Sequence, residues 1–306
     1  MAEKGVLLVN MGGPSSLEEV EPFLKNLFSD PYIFPLPFRG LLAPLIARLR
    51  AKKVKAYYEA IGGGSPQLYQ TLRQQRALKK LLGPSYEVAV GMRYSPPFIK
   101  DALNELLKAG VKKLLFLPLY PQYSTATTGS AYAELKRHLP KEVELKAVEE
   151  FHDHPLFIQS WVERIRESLP EGEAYLLFSA HGLPKKLIKR GDPYQQQVER
   201  TAYLIAKHFP HLPWSVSYQS KVGFGEWLGP STEEAIKKLA REGVKTLVVV
   251  PVSFVSEHVE TLYELDLQMA ELARKEGIER FIRVPTPQDH PLFIQCLRDL
   301  VLKHLP

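Results

Sequence analysis

Eight short apolar runs punctuate this chain, at 5–10, 86–91, 113–118, 143–148, 174–179, 215–219, 246–251 and 281–284. Several are continuous rather than alternating, as in GVLLVN, KLLFLP and TLVVVP. A strand with one wet face alternates, whereas a strand covered on both faces reads as an unbroken apolar run. These runs therefore predict buried parallel strands. Stretches of helical period lie between them. Residues 97–109 place Phe98, Ile99, Ala102, Leu103, Leu106 and Leu107 on one face, and 231–242 has the length of a second such helix. Strands alternating with helices of that length make right-handed crossovers and sheets covered on both sides.

The pattern repeats. DHPLFIQ stands at 153–159 and again at 289–295, an offset of 289 − 153 = 136. GVKKLLFLP at 110–118 echoes GVKTLVVVP at 243–251, an offset of 251 − 118 = 133. Two near-equal offsets in a chain of 306 residues mark two copies of one unit. The expected fold class is α/β: two Rossmann-like domains, each a four-stranded parallel sheet flanked by helices, with the active-site cleft between them. The expected domains are 1–155 and 156–306, with exchange of a helix at the boundary allowed.

Ligands of open α/β sheets gather outside the carboxyl ends of the strands, and two runs end there in reactive side chains. LLFSAHGLP stops at His181, where Gly182 and Pro184 force a turn. TLVVVP leads into VSFVSEHVETLYELD, with His258 and Glu260 just past the strand, and Glu260, Glu264 and Gln268 then recur at i, i+4 on one helical face. Histidine and carboxylate from different strand ends can meet in one cleft. They would supply the N/O ligands that suit a divalent transition metal, or a base poised near neutrality. Plainer roles stand beside these: a satisfied structural histidine, and carboxylates that gain ~0.3–1 kcal/mol from a helix N-terminus.

Several chemistries are excluded. Ser179 lacks the flanking glycines of a nucleophile elbow. The His-x-Glu of His258 lacks the P-C-x-x-C partner of a zinc deaminase. Neither NMGGPSS nor GGGSP has the spacing or the lysine of a nucleotide loop, and close-packed turns are the better account of both. Cys296 is the one cysteine, so no disulfide or thiolate metal site forms within a chain. The net charge of +6 is spread without a basic block or zinc-finger spacing. No nucleic-acid partner is expected, and carboxylate-bearing ligands or an anionic membrane surface fit the charge better.

The N-terminus enters a strand at once without an apolar signal core, which predicts a cytoplasmic protein. Residues 31–49, PYIFPLPFRGLLAPLIARL, are the least ordinary stretch. Pro31, Pro35, Pro37, Pro44 and Arg39 forbid a spanning helix, which needs about 20 apolar residues. An apolar tip (Ile33, Phe34, Leu36, Phe38, Leu41, Leu42) followed by Arg48, Arg50, Lys52, Lys53 and Lys55 suits an interfacial lip.

Seven motifs in order, NMGGP (10–14), YEAIGGGSP (58–66), GMRYSPP (91–97), YPQYSTATTGS (120–130), FSAHGLP (178–184), QSKVG…WLGPST (219–232) and SEHVETLYELD (256–266), resemble those of the ferrochelatase family. That family inserts ferrous iron into porphyrins. The resemblance implies the same two-domain plan, with His181 and Glu260 as catalytic partners and His258 beside them, and His181, Glu260 and Glu264 as metal ligands. Gln268 stands where the family usually has a third carboxylate. The resemblance further implies a porphyrin site from Met11, Arg50, Tyr58, Ser65, Arg93, Tyr94 and Trp227, with Met11 facing His181. A methionine at that place and an apolar lip at 31–49 go with the protoporphyrin-using members, a tyrosine with the coproporphyrin-using ones.

The implied reaction is insertion of Fe2+ into protoporphyrin IX, giving protohaem and two protons in haem biosynthesis. Coproporphyrin III is the alternative substrate, and a cobalt chelatase or a non-enzymatic porphyrin or haem carrier are more distant readings. No cofactor is expected: iron is substrate, and an iron–sulfur cluster needs several thiolates. The expected partners are porphyrin, ferrous iron, an anionic membrane surface met through 31–55 at the inner face of the membrane, and a porphyrin-donating oxidase.

Overall fold

The computed structural model describes residues 3–221 and 225–306; Val222 and Gly223 of the QSKVG motif lie outside the described residues. The first half runs β1 (Lys4–Asn10), α1 (Val20–Phe28), α2 (Arg39–Ala60), α3 (Gln67–Leu82), β2 (Tyr86–Met92), α4 (Ile99–Lys108) and β3 (Lys113–Pro118). A π-helical stretch (Thr125–Gly129) then leads into α5 (Ser130–His138), followed by β4 (Glu144–Ala147) and α6 (Pro155–Ser168). The second half runs β5 (Tyr175–His181), α7 (Lys185–Lys189), α8 (Tyr194–Ala206), β6 (Trp214–Gln219), α9 (Thr232–Arg241) and β7 (Thr246–Pro251). A second π-helical stretch (Glu260–Met269) leads into α10 (Ala270–Lys275), β8 (Arg280–Arg283) and α11 (Pro291–His304).

All eight apolar runs are strands. They form two parallel sheets of orders β2-β1-β3-β4 and β6-β5-β7-β8, the same order written twice. Val6 to Val9 in β1 and Leu247 to Val250 in β7 are fully buried, as the unbroken runs require. The repeated heptapeptide has a repeated job. His154 Nδ1 accepts from the Leu156 amide at 3.2 Å and His290 Nδ1 from the Leu292 amide at 3.3 Å, each followed by a proline at the first helical turn. DHP is thus a helix-start signal used by both α6 and α11.

Those two helices cross between the halves. α6 follows β4 of the first sheet but packs on α8 of the second half, and α11 follows β8 but packs on α3 of the first, with α6 and α11 against each other. Trp161, Phe157 and Phe293 sit fully buried in one core that also holds Leu8 from β1 and Leu176 from β5. The two sheets therefore share a core.

The glycine loops set the cleft's first wall. Gly12 has φ +87, and a side chain there would meet Ser95 Oγ at 2.3 Å. A Cβ on Gly64 would lie 2.4 Å from the Ser15 carbonyl, so GGGSP is packed on the loop after β1, joined by Ser65 N–H donating to Pro14 O at 2.7 Å.

Segment 31–49 is part loop and part helix: its second part is the start of α2. Of the six apolar residues expected at its tip, Phe38 (84%) and Leu41 (74%) are exposed, whereas Ile33, Phe34, Leu36 and Leu42 are half-buried. Phe34 turns inward onto Phe28, ring centroids 5.0 Å apart. Leu45 and Leu49 take the outer places, so the exposed stripe is Leu41, Leu45 and Leu49 at helical spacing. No helix among the described residues is long and apolar enough to cross a membrane.

Candidate active site

A cavity of about 650 Å³ opens between the two halves. The strand-end rule selects its reactive wall. His181 is the last residue of β5, Met11 follows the end of β1, and both line it with Tyr58, Ser65, Trp227, His258, Glu260 and Glu264. A smaller recess of about 120 Å³ continues behind it, sharing Met11, His181, His258 and Glu260.

Glu260–Met269 is π-helical rather than α-helical as its i, i+4 spacing suggests. On an α-helix, residues four apart drift by about 40° per step. The i→i+5 bonding of a π-helix puts more residues in each turn and keeps Glu260 and Glu264 nearly in line. Both lie within hydrogen-bond reach of the Ser220 hydroxyl, Glu260 at 3.0 Å. Gln219, the last residue of β6, donates to the Glu260 carbonyl at 3.0 Å and to Glu264 at 3.3 Å. Gln268 is exposed, outside this cluster.

His181 Nδ1 lies 2.8 Å from Glu260 Oε2. An acceptor there keeps the proton on Nδ1 and leaves Nε2 free for chemistry. The backbone of His181 is held from two sides: its N–H donates to Ser253 Oγ at 3.0 Å, and Tyr194 O–H donates to its carbonyl at 2.9 Å. Burial disfavours the imidazolium, but the charge and hydrogen bond of Glu260, then Glu264, outweigh it and raise the pKa above the ordinary histidine value. Burial also works against the Glu260 carboxylate, yet His181, His258 and Ser220 hold it well below the usual range. For Glu264, burial and then the charge of Glu260 act together and push the carboxyl up to about 7. A hydroxyl has one proton, so Ser220 can donate to only one of two carboxyl groups and accept from the other. One ionised and one protonated carboxyl satisfy that geometry.

His258 is fixed differently. Its Nδ1 faces the Ser256 carbonyl at 3.2 Å, its ring stands edge-on to Phe254, and burial lowers its pKa, so it presents a neutral ring. Just before it, Glu257 receives Arg283 at 2.7 Å, and the same guanidinium grips Asp266 on the π-helix, bracing both ends of the reactive segment. Tyr57 of α2 stacks on Tyr263 at 4.3 Å, tying the lip helix to the π-helix.

Three residues implied by the resemblance are placed off the cavity wall. Arg93 pairs with buried Asp30 at 3.2 Å, and Tyr94 donates to that same carboxylate. Arg50 is exposed on α2 with its guanidinium over the Phe28 ring at 5.8 Å. Conversely, Gln219, Ser220, Ser253 and Tyr194 were not singled out from sequence. Gln219 and Ser220 could have been, since they stand at the carboxyl end of β6.

The cluster therefore sets nitrogen and oxygen donors of unlike charge side by side, able to give and take protons, on the wall of a cavity of about 650 Å³. The chain matches the family model described as Ferrochelatase over residues 3–305. It is 57% identical to the Ferrochelatase of Aquifex aeolicus over 304 residues, 98% of each chain, and 47% identical to that of Sulfurihydrogenibium sp., again with 98% of each covered. Among solved structures it resembles SirB from Bacillus subtilis with Fe3+, with a TM-score of 0.63 and 14% identity over 99% of this chain and 95% of that one, a likeness of fold. The two repeated sheets, the His–Glu pair between them and the match from end to end place this chain in the ferrochelatase family.

Proposed function

We propose that the chain inserts Fe2+ into protoporphyrin IX, releasing two protons and protohaem. Iron chelatase chemistry in haem biosynthesis follows from the family; the choice of porphyrin is the proposal. The observation that carries the chemistry is the 2.8 Å contact of His181 with Glu260 inside the interlobe cavity. A free-base porphyrin holds two central N–H protons that the metal must replace. Nε2 of His181, freed by the bond at Nδ1, is a base at the right place, and Glu260 stabilises the imidazolium that forms. Glu264, Ser220 and His258 extend the set of N/O groups that can hold iron or take a proton. A site that binds a bent ring more tightly than a flat one would lower the barrier to the first metal–nitrogen bond.

Met11 on the wall supports protoporphyrin, because a thioether approaches product iron only weakly. The coproporphyrin reading draws on Arg50 and Arg93, and both lie off the wall. The exposed Phe38, Leu41, Leu45 and Leu49, beside Arg48, Lys52 and Lys53, support docking of α2 on an anionic membrane at its cytoplasmic face. An oxidase that supplies the porphyrin is a fitting partner at that surface.

His181→Ala tests the assignment, with anaerobic steady-state turnover of protoporphyrin and ferrous iron as the readout. Loss of more than tenfold, about 1.4 kcal/mol of barrier, with folding and porphyrin binding retained, is expected. Retention of more than a tenth of wild-type turnover would remove His181 from the chemistry.

A further inference from the structure

Resting on that reading, we infer that Arg283 is a positioning residue of the reaction: it holds Glu260–Met269 in its π-helical form and so keeps Glu264 beside Glu260. π-Helical backbone occurs mostly as single turns inside α-helices, so a run of ten residues needs ties from outside. Apolar packing supplies few of them, because Leu265 is the one apolar side chain in the stretch that is fully buried. Gln219 and Ser220 hold its first turn through Glu260 and Glu264, and the Tyr57–Tyr263 stack adds contact from α2. Beyond that turn the polar tie is Asp266. Among the described residues, its hydrogen-bonding partner is Arg283 alone.

Arg283 is the last residue of β8, and its Nε and Nη2 donate to the two oxygens of Asp266 at 2.8 and 2.5 Å. Its Nη1 donates to Glu257 at 2.7 Å, and the arginine side chain is only 9% exposed. Glu257 is itself fixed: the same oxygen accepts from the Thr286 amide at 2.9 Å, and its own amide donates to Gln70 at 2.7 Å. A planar fork therefore joins a stationary loop to a point on the π-helix six residues beyond Glu260. An α-helix advances about 100° per residue and a π-helix less. Anchored at Glu260, a stretch relaxed to the α form would swing Asp266 away from β8 and Glu264 away from Ser220. Two bonds to one carboxylate resist that rotation, where a single point charge would follow it. Glu257, Asp266 and Arg283 all lie off the cavity wall, so their effect on the reaction passes through the residues between them.

The test separates geometry from charge. Arg283→Lys keeps a cation beside Glu257 but cannot fork, and Asp266→Asn removes the carboxylate from the one-third-exposed end of the pair. A neutral residue at 283 would leave Glu257 buried without its countercharge and put folding at stake, so both variants avoid it. Each should lower kcat about tenfold, as displacement of positioned groups does, with KM for protoporphyrin within about twofold of wild type. In a Glu264→Gln background, Asp266→Asn should cost less than about threefold, because the group it places is already gone. Hydrogen exchange followed by mass spectrometry should speed up in peptides covering 256–270 and stay unchanged in β5 and β7. That readout needs no turnover, so failure of the tie and failure of the chelatase reading are told apart. Normal kcat in either folded variant, losses that add fully to that of Glu264→Gln, or faster exchange throughout the molecule would each overturn the assignment.

Discussion

The two halves carry the same element at the same place and use it for different ends. After the third strand of each sheet the chain enters a π-helical stretch, Thr125–Gly129 after β3 and Glu260–Met269 after β7. The offset is 260 − 125 = 135, inside the range the sequence repeats set. At equivalent places the first stretch has Thr125 and Gly129, and the second has Glu260 and Glu264. The first is tied to the second half: Asp192, between α7 and α8, accepts from the Thr125 amide at 2.8 Å and from the Ser124 hydroxyl at 3.0 Å. The second instead aims its carboxylates at the cavity. The π geometry therefore belongs to the repeated scaffold, and only the second copy was loaded with titrating groups. One sheet supplies wall and Met11; the other supplies the cavity's His–Glu pair and its second carboxyl group.

The sharpest break of that contrast is Glu260→Thr, which writes the first copy's residue into the second. The π-helix should survive, because threonine already occupies its counterpart. Turnover should fall by about a hundredfold or more, in the range of losing a positioned base. Far-ultraviolet circular dichroism with steady-state kinetics decides it; a folded variant with near-normal turnover would mean that the acids of the second stretch are scaffold too.

Glu264→Gln should cost less, about tenfold in turnover, since Glu264 reaches His181 only beyond Glu260. Stability should move the other way. The folded carboxyl, raised to about 7 from an ordinary 4.5, keeps a proton that the unfolded chain has lost between those values. Its contribution to stability is thus full below pH 4.5 and is lost as pH rises towards 7. Removing the carboxyl removes that loss. The variant should be more stable than wild type at pH 8 by on the order of 1 kcal/mol and indistinguishable at pH 4. Thermal melts at the two pH values check the sign, and a variant less stable at pH 8 would contradict the origin assigned to the shift.

The smallest effect on the fold belongs to the lip. Leu41→Asp with Leu45→Asp should leave stability within about 0.5 kcal/mol, because both are exposed, and should weaken binding to anionic vesicles in a flotation assay. A large drop in melting temperature with vesicle binding intact would make α2 part of the core instead.

The strands were readable because burial on both faces leaves no polar residue in a run, and the duplication because DHPLFIQ recurs letter for letter. His181, Glu260 and Glu264 were readable from strand ends and spacing. The π-helix was not: residues four apart share a face in either helix, so the spacing cannot tell them apart. The positions of Arg50, Arg93 and Tyr94 were hidden for another reason. Motif order gives a place along the chain, but Asp30, far from GMRYSPP in sequence, draws Arg93 and Tyr94 to itself.

The exchange of α6 and α11 bears on how the two halves can move against each other. Lobes joined by one linker can rotate like the jaws of a clamp, opening for substrate and closing over it. Here each lobe has lent a helix to the other, and a jaw-like rotation would tear Trp161, Phe157 and Phe293 out of one shared interior. The exchange thus braces the gap between the halves against jaw-like closure. A cut between the halves would expose that shared interior on both sides, so neither half is expected to fold alone.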